Sequence, residues 1–390
     1  MQPPHAYRAP LPRLPLTWSR LLTAVFVVAI SVPLVATIAG VGGEGTGEEN
    51  RASTPWPGWP RDAAAAAAWP EAMTRAFTDH VAFRGAFVRA QARFRVQALG
   101  RSPLPDVVLG RDGWLFYGTD GALEDHAGTS PFTTAELEVW RTTLQHTHDW
   151  LAARGIAYVF VIAPDKHTVY PEHLPVDLPR VGTQSRARQL TEYMRTHGTV
   201  TVVDLADTVR AARGTGRLYH RTDTHWNDLG AHAGYARTMA ALPAALGLLP
   251  HGLDRFRATS EYAPGLDLAR ILGLGQVLRE EMIRLAPLTP RTARIVEPAD
   301  PSPDLMDARV VTETPAGPGA VVFRDSFASA MIPFLAEHFG RAVFAWQDEF
   351  DPALIETERP QVVIQQWVAR HLYTRAPYDA VAARAEIGRP

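Results

Sequence analysis

The chain of 390 residues contains no cysteine. That excludes a disulfide framework, a thiolate metal site and a cysteine nucleophile, and it is compatible with an oxidising compartment without assigning one. Lysine is almost as scarce: Lys166 is the only one among 39 basic residues. An excess of one charge is missing too. A formal net charge of −2 leaves no basic surface of the kind that nucleic acid or an anionic lipid face selects. Internal repeats are absent, and the alanine tract Ala63 to Ala68 is helix-favouring composition. What is present is apolar: 46% of residues are hydrophobic, enough to bury a full core in one large domain or two modest ones.

The chain has one long apolar run, Leu21 to Val41, which at about 1.5 Å per residue can cross a hydrocarbon core of roughly 30 Å. Arg8, Arg13 and Arg20 precede it, and Glu44, Glu48 and Glu49 follow it. This bias predicts a cytoplasmic N-terminus over 1–20, an anchor over 21–41 and everything later outside, in the inner membrane and periplasm. A cleaved signal peptide is the alternative. Residues 42–62, ending in Pro55-Trp56-Pro57-Gly58-Trp59-Pro60, read as a linker. A helix to about Leu99 is expected next, and Gly110 to Tyr117 reads as a turn feeding a short strand.

From there to the C-terminus, helix and strand alternate, the mark of an α/β domain with a parallel sheet covered on both faces. Thr133 and Glu136 make a capping box for a helix closed by Gly155. Strands are expected at Ile156–Ala163, Val200–Leu205, Ala320–Phe323, Ala342–Trp346 and Gln361–Gln365. Helices are expected at Gln184–Thr196, Asp228–Leu246 and Ala328–Phe339. The stretch from about 251 to 318, with scattered Pro and Gly and no clear strand, reads as an insertion into a domain covering 63–390.

Two stretches carry chemistry. In Asp223-Thr224-His225-Trp226-Asn227 a carboxylate stands two residues before an imidazole, ahead of a helix. In Arg324-Asp325-Ser326-Phe327 a serine stands just past a buried strand and before a helix, where its N–H faces an anion site and its Oγ the carboxyl edge of the sheet. A serine there can equally be a helix N-cap. Taken together, Ser326, His225 and Asp223 have the makings of nucleophile, base and orienting acceptor. A metal site built from His220, Asp223, His225 and His232 is the alternative, but their spacing follows no zinc pattern. Lys166, after a strand, suits neutralisation of an acidic sugar or a surface pair with Asp165. Trp226 and Trp367 suit stacking on a sugar ring or burial in the core.

Asp325-Ser326 at a strand end resembles the Gly-Asp-Ser block of the SGNH hydrolase superfamily, and Asp223-Thr-His225 its Asp-x-x-His block, shortened by one residue. The order is permuted, since the serine block of ordinary members comes first. With the Asp165-Lys166-x-x-x-Tyr170-Pro171-Glu172 segment, the Gly110 to Phe116 turn and the apolar N-terminus, the chain resembles the alginate O-acetyltransferase family of AlgJ and AlgX type. No room is left for a C-terminal carbohydrate-binding sandwich, so the resemblance is closer to the AlgJ type.

The resemblance implies an SGNH-like α/β fold with permuted blocks. It implies Ser326 as acetyl-accepting nucleophile, His225 as acid–base and Asp223 as its orienting carboxylate. The expected activity is transfer of acetyl to an exopolysaccharide hydroxyl, with no cofactor and with a multispanning membrane O-acyltransferase as donor. Acetyl-ester hydrolysis by the same residues, and an inactive polysaccharide-assembly scaffold, are the alternatives. The family glycine is replaced by Arg324, the best argument for the scaffold and itself a candidate substrate contact. Where SGNH enzymes offer an oxyanion asparagine, this chain has Gln365 and Gln366, which with Asp325 are the candidates for oxyanion support.

Overall fold

The structure, a computed structural model, describes residues 16–41 and 54–387. Most of the expected cytoplasmic segment (1–20) and linker (42–62) lies outside the described residues. The chain divides into two compact units, residues 1–94 and 95–390.

The first unit is helical. Helix Leu16–Ile38 includes Trp18–Ile38, long and apolar enough to cross a membrane, with its apolar side chains exposed. The next helix, Ala63–His80, starts where the Asp62 carboxylate accepts from the Ala65 N–H at 2.7 Å. It does not run on to Leu99 as the sequence suggests. Phe83 takes a left-handed conformation (φ 63°), and a separate helix, Arg84–Leu99, follows.

Among the described residues the second unit holds eleven strands: β1 (Val107–Leu109), β2 (Leu115–Tyr117), β3 (Ala157–Ala163), β4 (Thr201–Asp204), β5 (Phe256–Pro264), β6 (Arg279–Pro287), β7 (Arg294–Glu297), β8 (Arg309–Glu313), β9 (Gly319–Arg324), β10 (Arg341–Trp346) and β11 (Val362–Val368). Seven of them form one sheet in the order β4-β3-β11-β9-β10-β8-β7. Five run parallel, β4 through β10 in that order. The expected all-parallel sheet is corrected at one edge, where β8 lies antiparallel to β10 and β7 antiparallel to β8, giving a mixed sheet. Antiparallel neighbours need no helical crossover, so the alternation that reveals a parallel strand is missing there.

The central strands are continuous apolar runs because both faces are covered. Val159, Val161, Val322 and Ile364 face one core with Trp226 and Phe327, against helix Asp228–Ala241. Phe160, Ile162, Val321, Val363 and Trp367 face the other, against helices Thr134–Ala152 and Arg186–His197. Each fully buried Phe, Ile or Val is worth roughly 1.5–3 kcal/mol. The capping box is formed as expected: Thr133 Oγ1 accepts from the Glu136 N–H at 3.2 Å, and Glu136 accepts from the Thr133 N–H at 2.8 Å.

The region 251–318 is not free of strands. It contains the antiparallel pair β5–β6 as well as β7 and β8. β5 is exposed along most of its length and β7 throughout, so neither shows the apolar alternation that marks a strand. The expected helix Ala328–Phe339 is broken into Ser326–Ser329, Ile332–Leu335 and a final turn. Pro333, with no N–H to donate, sits in the first turn of the second piece.

Candidate active site

The loop carrying Asp223 and His225 closes on itself before it meets anything else. Tyr219 and Trp226 form an isolated antiparallel bridge, and the His220 N–H donates to the His225 carbonyl at 3.2 Å. Asn227 then caps helix Asp228–Ala241, its Oδ1 accepting from the N–H groups of Leu229 (3.0 Å) and Gly230 (3.2 Å). A carboxyl-edge loop would be expected to follow a strand directly. This one does not, since helix Ala206–Ala211 and a 3₁₀ turn stand between β4 and it.

Lys166 fixes where the loop lies. It comes straight after β3, is buried, and donates from Nζ to the carbonyls of His220 (2.9 Å), Arg221 (3.2 Å) and Asp223 (2.5 Å). Three donors meet three acceptors, so the ammonium has nothing left for a substrate. The candidate substrate-binding role is thereby corrected, as is the surface pair with Asp165. Burial pulls the Lys166 amine down to about 7 against the opposing pull of Asp223 and Glu280. The turn before β2 supports the same loop: Asp112 and Gly113 are left-handed (φ 56° and 77°), and the Leu115 N–H that follows donates to the Arg221 carbonyl at 2.8 Å.

Ser326 arrives from the other side, at the end of β9. Asp325 is its N-cap, with Oδ1 accepting from the Phe327 N–H at 2.8 Å and Oδ2 from the Val368 N–H at 2.6 Å. The carboxylate thus stitches the serine turn to β11. Ser326 Oγ lies 2.7 Å from His225 Nε2. His225 Nδ1 lies 2.7 Å from Asp223 Oδ1, which also accepts from the His225 N–H at 3.0 Å. Residues 101 positions apart are therefore joined in one hydrogen-bonded chain, Asp223–His225–Ser326.

Burial alone would raise the Asp223 carboxyl, but His225 and His220 outweigh it and hold it well below the usual carboxylate range. Burial alone would likewise lower His225; the Asp223 charge and hydrogen bond outweigh it and raise its proton affinity. With the Nδ1 proton held on Asp223, Nε2 presents its lone pair to the Ser326 hydroxyl. Such an arrangement can take a proton from a serine attacking a carbonyl and return it to a leaving oxygen.

The other expected site residues lie elsewhere than the sequence suggests. Trp226 is buried and donates from Nε1 to the Phe327 carbonyl at 2.9 Å. Trp367 faces the opposite core, edge-on to Trp140 and donating to the Asp348 carbonyl at 2.8 Å. Neither is open to a sugar, so the stacking role is corrected for both. Gln365 lies on that far face too, accepting from Tyr158 Oη (2.6 Å) and donating to the Asp348 carbonyl (2.6 Å), which removes it as an oxyanion donor. Gln366 faces the serine side; its Oε1 accepts from the Asp325 N–H at 3.4 Å, and its buried Nε2 has no partner among the described residues.

Arg324 is not in the site. Fully buried, it donates to Ser329 Oγ (2.8 Å) and to the carbonyls of Leu305 (3.0 Å) and Asp307 (2.8 Å), with its guanidinium over Trp346. A substrate contact is corrected to an anchor for residues 305–307. Burial lowers it to about 10, so it stays charged. Of the four residues weighed as metal ligands, His232 turns to the His251 carbonyl at 2.8 Å, whereas Asp223 and His225 gather with Asp267, ligand atoms within 4.8 Å of one another. His225 Nε2 is already engaged with Ser326, and Asp223 Oδ1 with His225.

Two charged residues of this neighbourhood, Arg370 and Glu280, escape sequence reasoning, as does the true partner of Asp165. Asp165 and Arg370 follow the adjacent parallel strands β3 and β11, and they pair at 2.5 Å. The Arg370 guanidinium stands 5.4 Å from the Phe327 ring, and its charge opposes protonation of His225. Opposite charges just past two strand ends were the available signal. Glu280, on β6, accepts from Thr222 N (2.8 Å), Thr222 Oγ1 (2.7 Å) and Arg217 (2.7 Å). Nothing in its sequence surroundings announces this. Beside the loop, a cleft of about 450 Å³ is lined by Trp114, Tyr170, His173, Arg213, Arg217 and Arg221.

Residues 107–315 match the family model described as an SGNH hydrolase-like domain, acetyltransferase AlgX; the match includes Asp223 and His225 and ends before Ser326. The chain is 26% identical over 215 residues to the probable alginate O-acetylase AlgJ of Pseudomonas aeruginosa, which covers 55% of this chain and 49% of that protein. It is 32% identical over 147 residues to the protein of the same name from Pseudomonas putida, 38% of this chain and 36% of that one. The chain thus spans half or less of the length of these curated relatives. Bacillus cereus PatB1, solved with a sulfonyl adduct, matches with a TM-score of 0.51 at 19% identity, covering 68% of this chain and 96% of that one, a likeness of fold.

Proposed function

Because the chain belongs to the family of SGNH hydrolase-like acetyltransferase domains described for AlgX, we propose that it is a membrane-anchored, extracytoplasmic O-acetyltransferase that passes acetyl groups to hydroxyls of an alginate-like exopolysaccharide. The observation that carries this reading is the 2.7 Å approach of Ser326 Oγ to His225 Nε2, with Asp223 2.7 Å behind the imidazole. In the first half-reaction Ser326 Oγ attacks the donor's acetyl carbonyl while His225 takes the hydroxyl proton. The tetrahedral intermediate collapses, the donor oxygen leaves with the proton from His225, and an acetyl ester remains on Ser326. In the second, a sugar hydroxyl gives its proton to His225 and attacks that ester, and Ser326 recovers a proton. The Ser326 N–H and the unpaired amide of Gln366 are the proposed oxyanion donors.

The alginate O-acetylase names of the relatives support the substrate class, and the cleft beside the loop offers the guanidinium groups of Arg213 and Arg221 for an acidic glycan. The apolar helix Trp18–Ile38 supports the anchor. Acetyl-CoA does not occur outside the cytoplasm, so a multispanning membrane O-acyltransferase is the proposed donor. The Asp–His block standing before the serine block is read as a permutation of the SGNH order.

The test is mass spectrometry of the protein after exposure to an activated acetyl ester, with and without oligosaccharide. A 42 Da adduct, the roughly expected mass of one acetyl on Ser326, lost in Ser326→Ala and discharged to sugar, supports transfer. An adduct discharged only to water makes the chain an esterase. An unchanged adduct and turnover in Ser326→Ala sinks the mechanism.

A further inference from the structure

The hairpin β5–β6 and the short helix Asp267–Ile271 between its strands are joined to the loop of the proposed site at Arg217, which pairs with Glu280, and, beside Asp223, at Thr222. Thr222 gives its N–H and hydroxyl to Glu280, its Oγ1 accepts from the Leu266 N–H at 3.1 Å, and its carbonyl accepts from the N–H groups of Leu268 (3.0 Å) and Ala269 (3.3 Å). Asp223 is the next residue in the chain. This join sets Asp267 at the rim: a carboxylate oxygen lies within 4.8 Å of a His225 ring nitrogen and of an Asp223 carboxylate oxygen.

Asp267 differs from Asp223 in being open. Its side chain is 53% exposed, Arg270 stands 3.6 Å away, and no hydrogen bond is made to its carboxylate among the described residues. The chemistry of Asp223, His225 and Ser326 is complete without it. A carboxylate with free lone pairs, held beside the base and facing solvent, has one obvious use: it can accept a hydrogen bond from an incoming group that carries a hydroxyl.

We infer that Asp267 is the acceptor-recognition residue of the site, receiving a hydrogen bond from the hydroxyl adjacent to the one that attacks, so that the enzyme selects a vicinal diol of a pyranose ring. The inference rests on the proposed acetyl-Ser326 reading. Adjacent pyranose hydroxyls stand about as far apart as hydrogen-bonded oxygens, about 2.8 Å. One therefore reaches His225 while its neighbour reaches a carboxylate a few ångströms away. The attacking hydroxyl loses its proton to His225 as its oxygen bonds the acetyl carbon; the bond to Ser326 Oγ then breaks, and His225 returns the proton to Ser326. The neighbouring hydroxyl keeps its proton throughout and only donates to Asp267. Simple alcohols lack that second donor, and so a polyol acceptor can be favoured over them without any change in Asp223, His225 or Ser326.

The experiment uses the full chain in detergent, acetylated by an activated ester, with competing acceptors: a methyl pyranoside carrying a vicinal diol against cyclohexanol. The measured quantity is the ratio of the two acetylated products, which does not depend on how fast Ser326 is charged. The wild type is expected to favour the diol by about tenfold, the effect of one polar contact between site and substrate. Asp267→Asn and Asp267→Ala should bring the ratio close to one, and Asp267→Glu should restore part of it. The inference is overturned if the ratio is the same in wild type and in both variants. Failure of the wild type to form any Ser326 adduct would instead overturn the proposed function on which it stands.

Discussion

The Trp226 indole N–H donates to the Phe327 carbonyl at 2.9 Å, joining the residue after His225 to the residue after Ser326. Both rings are buried and lie edge to face, 5.3 Å apart. The bond therefore sets the gap across which Ser326 and His225 meet. Trp226→Phe keeps most of the ring and leaves the Phe327 carbonyl unpaired, at a cost of about 1–3 kcal/mol. Its Ser326 acylation rate should fall by about tenfold or more, because a small displacement of reacting groups is expensive. Thermal unfolding and acylation kinetics measure the two effects; a normal rate in a destabilised variant would refute the alignment role.

Lys166 is the corresponding tie on the other side of the loop. Lys166→Met fills much the same volume but leaves the carbonyls of His220, Arg221 and Asp223 without their shared donor. Each buried acceptor left unpaired costs on the order of 1 kcal/mol or more, so a loss of about 3 kcal/mol in chemical unfolding is expected. Lys166→Arg should not rescue it, since a planar guanidinium does not reproduce three converging bonds from one nitrogen. Wild-type stability in Lys166→Met would refute the role of Lys166 as the tie that holds these three carbonyls.

How far the sequence foretold this site follows from where each signal comes from. Asp223, His225 and Ser326 were legible because residue type, spacing and placement before helices all concern local chain. The helices and central strands were legible because two-sided burial leaves continuous apolar runs. Trp226, Trp367, Lys166 and Arg324 were recognised as notable, but which way they point is decided by strand parity and packing. On β11, residues 365 and 367 face one core and residue 366 the other, and only the assembled sheet says which core holds the serine. The pair Asp165–Arg370 and the tie of Thr222 to Glu280 span 205 and 58 positions, beyond any local pattern.

Asp125 gives a stability prediction away from the site. The side chain is 2% exposed, Oδ1 has no partner among the described residues, and burial, followed by the charge of Asp165, pushes its carboxyl up to about 7. Its unfolded value is near 3.9. A carboxyl raised on folding contributes stability that is complete below about pH 4 and is lost as pH climbs through about 7. Asp125→Asn removes the proton that must be held, so the wild type should lose up to roughly 4 kcal/mol relative to the variant between pH 4 and pH 8. Calorimetric unfolding across that range measures it, and parallel curves for the two proteins would rule out a buried protonated carboxyl.

The pH dependence of acylation tests the hydrogen-bonded chain itself. Only neutral His225 can take the Ser326 proton, so the rate should rise with pH through the His225 pKa and level off above it. Burial works to lower that pKa, but the Asp223 charge and its 2.7 Å bond raise it above the ordinary value near 6.5. Asp223→Asn removes the charge and leaves burial and Arg370 opposed chiefly by Asp267, so the apparent pKa should drop below that of the wild type. The plateau rate should also fall by about 10³- to 10⁴-fold, because an amide can donate to Nδ1 and stabilise the tautomer whose proton sits on Nε2, facing Ser326. Rates measured from pH 5 to pH 9 separate the two effects. A variant with a lower plateau but an unmoved pKa would mean that Asp223 orients the imidazole without setting its charge. An unmoved plateau would mean that Asp223 does not fix the imidazole tautomer.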